Sequence, residues 1–318
     1  MKKIVISTLL ATTLLLANNN LNSNQTNSTS KIVESYEKLA SQGEIEAMFD
    51  LGLMYVTGDG VKQDYAKARE WFLKAVSKNN DTMSAYNLAL IYKNGLGVPK
   101  NDKEAYKYFL IAANKNYSQA QYMLGNMIEK GEGAKKDLKE AFSWFLKAAK
   151  QGHILSEYRV GKMYRLGEGV AKNDTEAKKW YELSANKGNA FAQANLGVMY
   201  KQGIATKQDY KEAFNWFEKS ANQKNILGQL NLALMYQNGL GIEKDLKEAF
   251  KLYQLASDEG NSSNAQYNLG LMYLKGDGIE KNIDKTIEYW TKSSEQGFEV
   301  AKNSLEKLCK ESPNSCKK

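Results

Sequence analysis

The fold is decided by the stretch LGLMYVTGDGVKQDYAKAREWFLKA, residues 51–75, which recurs with changes six more times. A small residue follows a Leu or Val in every copy, and successive copies lie 36 or 37 residues apart. A fixed period of this length is typical of a solenoid, because one unit cannot bury its apolar faces alone and must stack on its neighbours. The small residues are Gly52, Ala89, Gly125, Gly161, Gly197, Ala233 and Gly270.

Each copy contains two segments with helical periodicity. Apolar residues over 120–128 fall on one side of a helix, and we name this first segment helix A. Ala141, Trp144, Phe145 and Ala148 form a stripe at i, i+3, i+4 and i+7 in the second segment, helix B. The pattern predicts an all-α fold, a right-handed α-solenoid of seven helix-turn-helix repeats.

Short polar and glycine motifs mark the ends of these helices. A G-x-G turn separates helix A from helix B, as at Gly131 and Gly133, and Ala205 replaces its second Gly in the fifth repeat. Helix B begins at an Asp or Asn followed three residues later by Glu, which predicts a capping box at Asn101, Asp137, Asn173, Asp209 and Asp245. Residues that tolerate the left-handed conformation predict the ends of helix B at Asn79, Asn116, Gly152, Gly188, Gly260 and Gly297.

The repeats occupy residues 44–297, and the flanking segments have other roles. Residues 1–17 combine Lys2 and Lys3, an apolar run and Ala17, which predicts a secretory signal peptide; an uncleaved anchor is the alternative. Residues 18–30 are almost entirely Asn, Ser, Thr and Gln, which predicts a flexible tether. Residues 31–43 fit a lone helix B as an N-terminal cap, and residues 298–318 fit a lone helix A followed by a tail.

The two cysteines lie in that C-terminal segment. A signal peptide implies an oxidising compartment, so we expect a periplasmic or secreted bacterial protein in which Cys309 and Cys316 can form a disulfide. The alternative is a pair of free thiols in a frayed tail.

Composition disfavours several classes of function. The net charge is +8, but only three residues are Arg and the folded body is only mildly basic, which does not favour a nucleic-acid partner. One His and two Cys are too few for a metal cluster. The G-x-G turns lack the third Gly of a dinucleotide site, and no phosphate-binding loop is present, so we expect no cofactor.

The repeats resemble the Sel1-like repeat, a relative of the tetratricopeptide repeat with a longer turn. The motif A-x-x-x-L-G-x-x-Y-x-x-G-x-G, followed by A-x-x-W-x-x-K-A-A, is clearest from Leu124 to Gly152 and from Val160 to Gly188. The resemblance implies an adaptor that holds protein complexes together. A more distant similarity to the Helicobacter cysteine-rich proteins implies penicillin binding or β-lactamase activity, but that branch has a Cys pair in each repeat.

By analogy with tetratricopeptide arrays, one face of helix A is expected to line a concave groove. Counted from the small residue, offsets −3, +1 and +4 share a face, which we name the A-helix stripe. Its Tyr residues and central cations fit an extended protein segment that bears carboxylates. Equally, the Tyr residues could pack between adjacent A helices. The candidate residues are Phe49, Tyr86, Lys93, Tyr122, Asn126, Glu129, Tyr158, Lys162, Arg165, Lys201 and Tyr267.

No residue pattern indicates a catalytic centre, and β-lactamase activity implied by resemblance is the only enzymatic candidate. Ser184 has a Lys three residues on, but S-D-N and K-T-G motifs are absent from the sequence. We expect Ser184 to be a packing residue, His153 to be a solvated loop residue, and Trp71, Trp144, Trp180 and Trp216 to form the core. The sequence favours an exported, non-catalytic interaction scaffold; a β-lactam or peptidoglycan-fragment binder and a secreted effector are the alternatives.

Overall fold

The computed structural model describes residues 23–313 and Cys316, and this part of the chain contains sixteen α-helices and no strand. None of these helices combines the length and apolar character needed to cross a membrane. The helices are α1 (Ser23–Ser41), α2 (Ile45–Thr57), α3 (Tyr65–Asn79), α4 (Thr82–Asn94), α5 (Asp102–Asn114), α6 (Ser118–Lys130), α7 (Leu138–Lys150), α8 (Ile154–Leu166), α9 (Asp174–Asn186), α10 (Ala190–Gln202), α11 (Tyr210–Ala221), α12 (Ile226–Asn238), α13 (Leu246–Asp258), α14 (Ser263–Lys275), α15 (Ile283–Glu295) and α16 (Glu299–Glu311).

Helices α2 to α15 form seven A/B pairs, in which the even-numbered helices are A and the odd-numbered helices are B. The predicted all-α solenoid of seven repeats is therefore confirmed. Helix α16 follows the last pair as a lone helix A and buries Ala301 in its small-residue position.

The N-terminal segment differs from the prediction. Helix α1 begins at Ser23, inside the segment predicted as a tether. Its second half contains the buried residues Val33 and Ala40, and a helix that is nucleated by packing can extend through polar residues at little further cost. The predicted signal peptide and residues 18–22 lie outside the described residues.

The chain divides into two compact units. Unit 1 comprises the described residues up to Ser156 together with Gly167–Ala171, and unit 2 comprises Glu157–Leu166 and the described residues from Lys172 onward. In unit 1, Val33 and Ala40 of α1 belong to the same apolar cluster as Leu51 of α2, so α1 is part of the core of the first repeat. In unit 2, apolar clusters cover the fourth to seventh repeats.

The predicted N-caps of helix B are confirmed, but they form only half of a capping box. Asp137 Oδ1 accepts hydrogen bonds from the N–H groups of Lys139 and Glu140 at 2.9 Å. The Asp137 N–H donates to the carbonyl of Ile128, in helix A of the same repeat, at 3.3 Å. The cap residue therefore closes the turn between A and B as well as starting B, and Asp64 and Asn282 cap the first and seventh repeats in the same way.

Two predicted ends of helix B need correction, and the fifth repeat ends at a residue outside the predicted set. The left-handed residue is Asn80 in the first repeat and Asn261 in the sixth, one position later than predicted. In the fifth repeat Lys224 itself adopts the left-handed conformation, with φ of 62°. Its neighbour Asn225 is instead the N-cap of α12, so it is committed to the next helix.

The prediction that the Trp residues form the core is only partly correct. Trp144 and Trp216 are buried, whereas Trp71 and Trp180 are half-buried. The most deeply buried ring in each repeat belongs to the next residue, because that ring packs directly on the small residue of helix A. At Gly52, an added Cβ would lie 2.3 Å from Cε1 of Phe72. These rings are Phe72, Phe109, Phe145, Tyr181, Phe217, Tyr253 and Trp290.

A disulfide joins Cys309 to Cys316, with a Cα–Cα distance of 5.5 Å. Cys309 lies in the last turn of α16, and Cys316 belongs to the segment after it. The bond therefore attaches this segment to the C-terminal capping helix.

Candidate functional site: the A-helix stripe

In unit 1, the first aromatic residues of the stripe are interior. Phe49 and Tyr86 are both buried. The Phe49 ring packs on Phe72 at 6.0 Å between centroids, and Tyr86 packs edge-on against Phe109 at 5.6 Å and Tyr117 at 5.1 Å. The expectation that they lie on an open surface is therefore not met, because each ring packs against the core ring of its own helix B.

Tyr122 is half-buried and makes the equivalent contacts in the third repeat. Its ring lies 5.8 Å from the ring of Phe145 and 4.9 Å from the ring of His153. His153 is therefore a packed residue and not the solvated one that we predicted. Its Nδ1 accepts a hydrogen bond from the N–H of Ser156 at 3.3 Å and lies 2.9 Å from Ser156 Oγ, so it caps the start of α8.

We expect this cap to make stability depend on pH. Burial lowers the pKa of His153 below its usual 6.5, so the unfolded chain binds a proton more readily than the folded chain. The stabilisation is complete above pH 6.5 and declines as the pH falls through 6.5 towards the folded-state pKa. His153→Asn supplies the cap that Asn189 and Asn225 provide in later repeats and should reduce the loss of Tm between pH 7.5 and 5. An unchanged loss in this variant would contradict the assignment.

The charged residues of the stripe in unit 1 are already engaged. Lys93 Nζ lies 2.7 Å from Glu132 Oε2, and this hydrogen bond lowers the pKa of Glu132. Asn126 donates from Nδ2 to the carbonyl of Tyr122 at 3.1 Å, and Glu129 is half-buried. In unit 1, therefore, the aromatic rings at the start of the stripe are not exposed, and the charge of Lys93 is compensated by Glu132.

In unit 2, the aromatic residues of the stripe form short stacks. Tyr158 is half-buried between Tyr181, at 6.0 Å, and Phe191, at 5.8 Å. Tyr267 is half-buried between Trp290, at 5.8 Å, and Phe298, at 5.5 Å. Each Tyr thus rests on the core ring of its own helix B and holds a second ring above it.

The cations of unit 2 differ in their partners. Arg165 pairs with Asp174 at 3.2 Å between nitrogen and oxygen. Within the part of the chain that the structure describes, no carboxylate pairs with Lys162 or Lys201. Lys201 Nζ donates to Asn231 Oδ1 at 2.6 Å and lies 5.8 Å from the centroid of the Phe217 ring. Because Lys201 is half-buried and has a neutral partner, burial lowers its pKa.

Sequence reasoning missed two exposed residues that extend the same stripe. Phe191 and Leu227 lie at offset −6, and their side chains are 57% and 40% exposed. Between them and the ends of the helices lie Val198, Leu230 and Leu234, which are half-buried on the core of unit 2. Position −6 is three residues before position −3, and residues three apart share a helix face, so the helical period could have placed both residues on the stripe. On helices α10 and α12 of unit 2 the stripe is therefore mainly apolar, with Lys201 near one end.

A second missed feature is a polar clamp within repeats. Gln151 Nε2 donates to Gln121 Oε1 at 2.7 Å, and Gln121 Nε2 donates to the carbonyl of Ala113 in the preceding repeat at 3.1 Å. The partners lie thirty residues apart, at the start of A and the end of B. Gln193 with Gln223 and Gln266 with Gln296 repeat the clamp, and Glu157 with Lys187 replaces it by an ion pair.

We expect the ion pair to be replaceable by the glutamine clamp. Glu157 is 2% exposed, so Lys187→Ala leaves a buried carboxylate without its cation and should lower the free energy of unfolding by about 1–3 kcal/mol. Glu157→Gln with Lys187→Gln restores a neutral pair of the kind seen in other repeats and should cost less than about 1 kcal/mol. Urea denaturation checks both, and a double variant less stable than Lys187→Ala would refute the equivalence.

The Ser residue considered as a β-lactamase nucleophile lies in the protein interior. Ser184 is fully buried in α9. No group of three or more His, Cys, Asp or Glu residues that could hold a metal ion occurs among the described residues. Ser184 therefore occupies the packing position that we predicted.

The helical hairpins, their G-x-G turns and the 36-residue period define a class of helical repeat protein, and comparison with known families identifies which one. The chain matches the Sel1 repeat at residues 45–80, 82–117, 118–153, 154–189, 190–225, 226–261 and 263–298. These matches cover most of the chain, which therefore belongs to the Sel1 repeat family. No curated protein matches the chain.

Two solved structures are similar over most of this chain. The uropathogenic Escherichia coli protein c5321, a protective antigen with an SLR fold, is 33% identical with a TM-score of 0.78. The match covers 91% of this chain but 59% of c5321. A Sel1 repeat protein from Oxalobacter formigenes is 26% identical with a TM-score of 0.71, covering 92% of this chain and 83% of that one.

Proposed function

We propose that this chain is an exported, non-catalytic scaffold that binds a protein segment on the A-helix stripe of unit 2. Sel1 repeats are protein-interaction modules. We choose this surface because Phe191 and Leu227 are exposed there. They lie beside the half-buried residues Leu230 and Leu234, which pack against the core. Apolar and aromatic side chains fixed in this way can bury partner surface with little loss of entropy.

The charges beside this surface support an acidic partner. Lys162 and Lys201 have no carboxylate partner in the described part of the chain. Lys93 and Arg165, in contrast, have acidic partners. A protein segment that brings carboxylates to Lys162 and Lys201 would compensate these charges and fix its own register.

The site is tested by photocrosslinking at two equally exposed positions of unit 2. Leu227 lies on helix A and Leu255 on helix B, with exposed fractions of 40% and 44%. A photoreactive amino acid at Leu227 should crosslink a partner from an extract of the cells that produce the protein, and one at Leu255 should not. Leu227→Glu should reduce capture of that partner at least tenfold, and Leu255→Glu should not. If only Leu255→Glu reduces capture of the partner, the binding site lies on the B helices and the proposed surface is wrong.

Export is supported by the signal-like residues 1–17 and by the disulfide between Cys309 and Cys316, a bond typical of oxidising compartments. The test is cell fractionation with N-terminal sequencing of the isolated protein. We expect a mature chain that begins at Asn18 and is found outside the cytoplasm. A cytoplasmic chain that retains residues 1–17 would refute export without affecting the docking surface.

A further inference from the structure

The apolar and cationic ends of the A-helix stripe lie at opposite ends of α10. Phe191 occupies the first turn of α10 and Lys201 the last. Ten residues of α-helix at 1.5 Å each separate them by about 15 Å. Both side chains are on the same stripe, so one bound segment can contact both.

Helix α12 continues this arrangement beside α10. Leu227 occupies its first turn as Phe191 does in α10, and Asn231 holds the Lys201 ammonium at 2.6 Å. Val198 and Leu234 fill the space between the ends with half-buried apolar surface. The surface is therefore apolar at the N-terminal ends of both helices and cationic only at Lys201.

We propose that this surface binds an extended protein segment in which an apolar side chain and a carboxylate are four to five residues apart. The inference rests on the proposed function and specifies the partner. An extended chain advances about 3.3 Å per residue, so four to five residues span the same ~15 Å as the surface. The apolar side chain packs on Phe191 and Leu227, and the carboxylate pairs with Lys201.

Lys201 is the position that selects the carboxylate. Its ammonium is half-buried and its hydrogen-bond partner, the amide oxygen of Asn231, is neutral. A partly desolvated cation without a counter-ion gains more from an arriving carboxylate than a fully hydrated surface lysine does. Lys211, an exposed lysine on α11 in the same unit, is the matched control.

The probes are fluorescent Ser/Gly peptides that carry a Leu pair and an Asp pair two, five or nine residues apart, made in both sequence orders. With the full chain, the five-residue spacing should bind at least tenfold more tightly than the other two by fluorescence anisotropy. Replacing Asp by Asn should weaken its binding about tenfold. The variant Lys201→Met should bind the Asp and Asn peptides equally, whereas Lys211→Met should behave as the unmodified chain does.

The outcomes separate this inference from the proposed function. Equal binding of Asp and Asn peptides by the unmodified chain, or discrimination that survives in Lys201→Met, would overturn the inference. If a peptide crosslinks at Leu227 but the Asp and Asn peptides bind equally well, the docking surface is correct and the proposed selection of a carboxylate by Lys201 is wrong. If sedimentation shows that the chain self-associates and that Phe191→Ser abolishes the association, the occupant is a second copy and the inference is wrong.

Discussion

Replacing Phe72 by Ala is expected to lower the free energy of unfolding by about 3–5 kcal/mol. The Phe72 ring is fully buried and packs against Gly52, where an added Cβ would approach within 2.3 Å. Because the ring packs on the backbone of α2 at Gly52, the cavity left by Ala cannot collapse fully. The expected loss combines the transfer free energy of the ring with the cost of that cavity.

The adjacent Trp71 provides the control. It is half-buried, and Nζ of the exposed Lys74 lies 3.8 Å from the centroid of its ring. Trp71→Ala should cost only about 1–2 kcal/mol, because much of the ring already contacts water or a mobile lysine chain. Hydrogen exchange in α2 and α3 measures both effects locally, which is appropriate because repeat arrays often unfold in more than one step. If Phe72→Ala and Trp71→Ala lower the stability equally, Trp71 contributes as much to the core as Phe72 does.

The sequence predicts the helices and their limits well because those signals are local. The apolar spacing within each helix, the caps such as Asp137 and the G-x-G turns each act over a few residues of the chain. It is harder to predict which of two neighbouring aromatic residues is the more buried, because Trp144 and Phe145 both belong to the apolar stripe of helix B, at i+3 and i+4. The sequence nevertheless contains a signal: the residue after the Trp position is aromatic in all seven repeats, whereas the Trp position itself is Leu252 in the sixth.

The candidate site was predicted less fully because its side chains are determined by long-range partners. The helical period places Lys93 and Tyr86 on the stripe, but it does not show that Glu132, 39 residues later, pairs with Lys93. Nor does it show that Tyr117 covers Tyr86. Lys93 and Glu132 lie in neighbouring repeats, and Tyr86 and Tyr117 lie at opposite ends of one repeat, so neither contact follows from the helical period. An aromatic residue 31 positions after the stripe aromatic occurs for Tyr86, Tyr122 and Tyr267, and this pattern could have indicated their burial.

Gly133→Ala is the second change for which we expect a large loss. Gly133 has φ of 75°, and an added Cβ would lie 2.1 Å from the carbonyl oxygen of Asp102, the first residue of α5. The left-handed conformation alone costs an L-residue about 1–2 kcal/mol, and displacing the backbone of α5 adds about 1–3 kcal/mol. We therefore expect the free energy of unfolding to fall by about 3 kcal/mol, measured by urea denaturation.

Two further substitutions separate these costs. Gly131 has the same left-handed conformation, with φ of 76°, but an added Cβ there would meet nothing closer than 3.4 Å. Gly131→Ala should therefore show only the conformational part, about 1–2 kcal/mol. In the fifth repeat Ala205 already occupies the position of Gly133 with φ of 53°, so Ala205→Gly should raise stability by about 1 kcal/mol. If Gly131→Ala and Gly133→Ala lose the same amount, close packing of this turn on the preceding repeat contributes nothing and the turn acts only as a local bend.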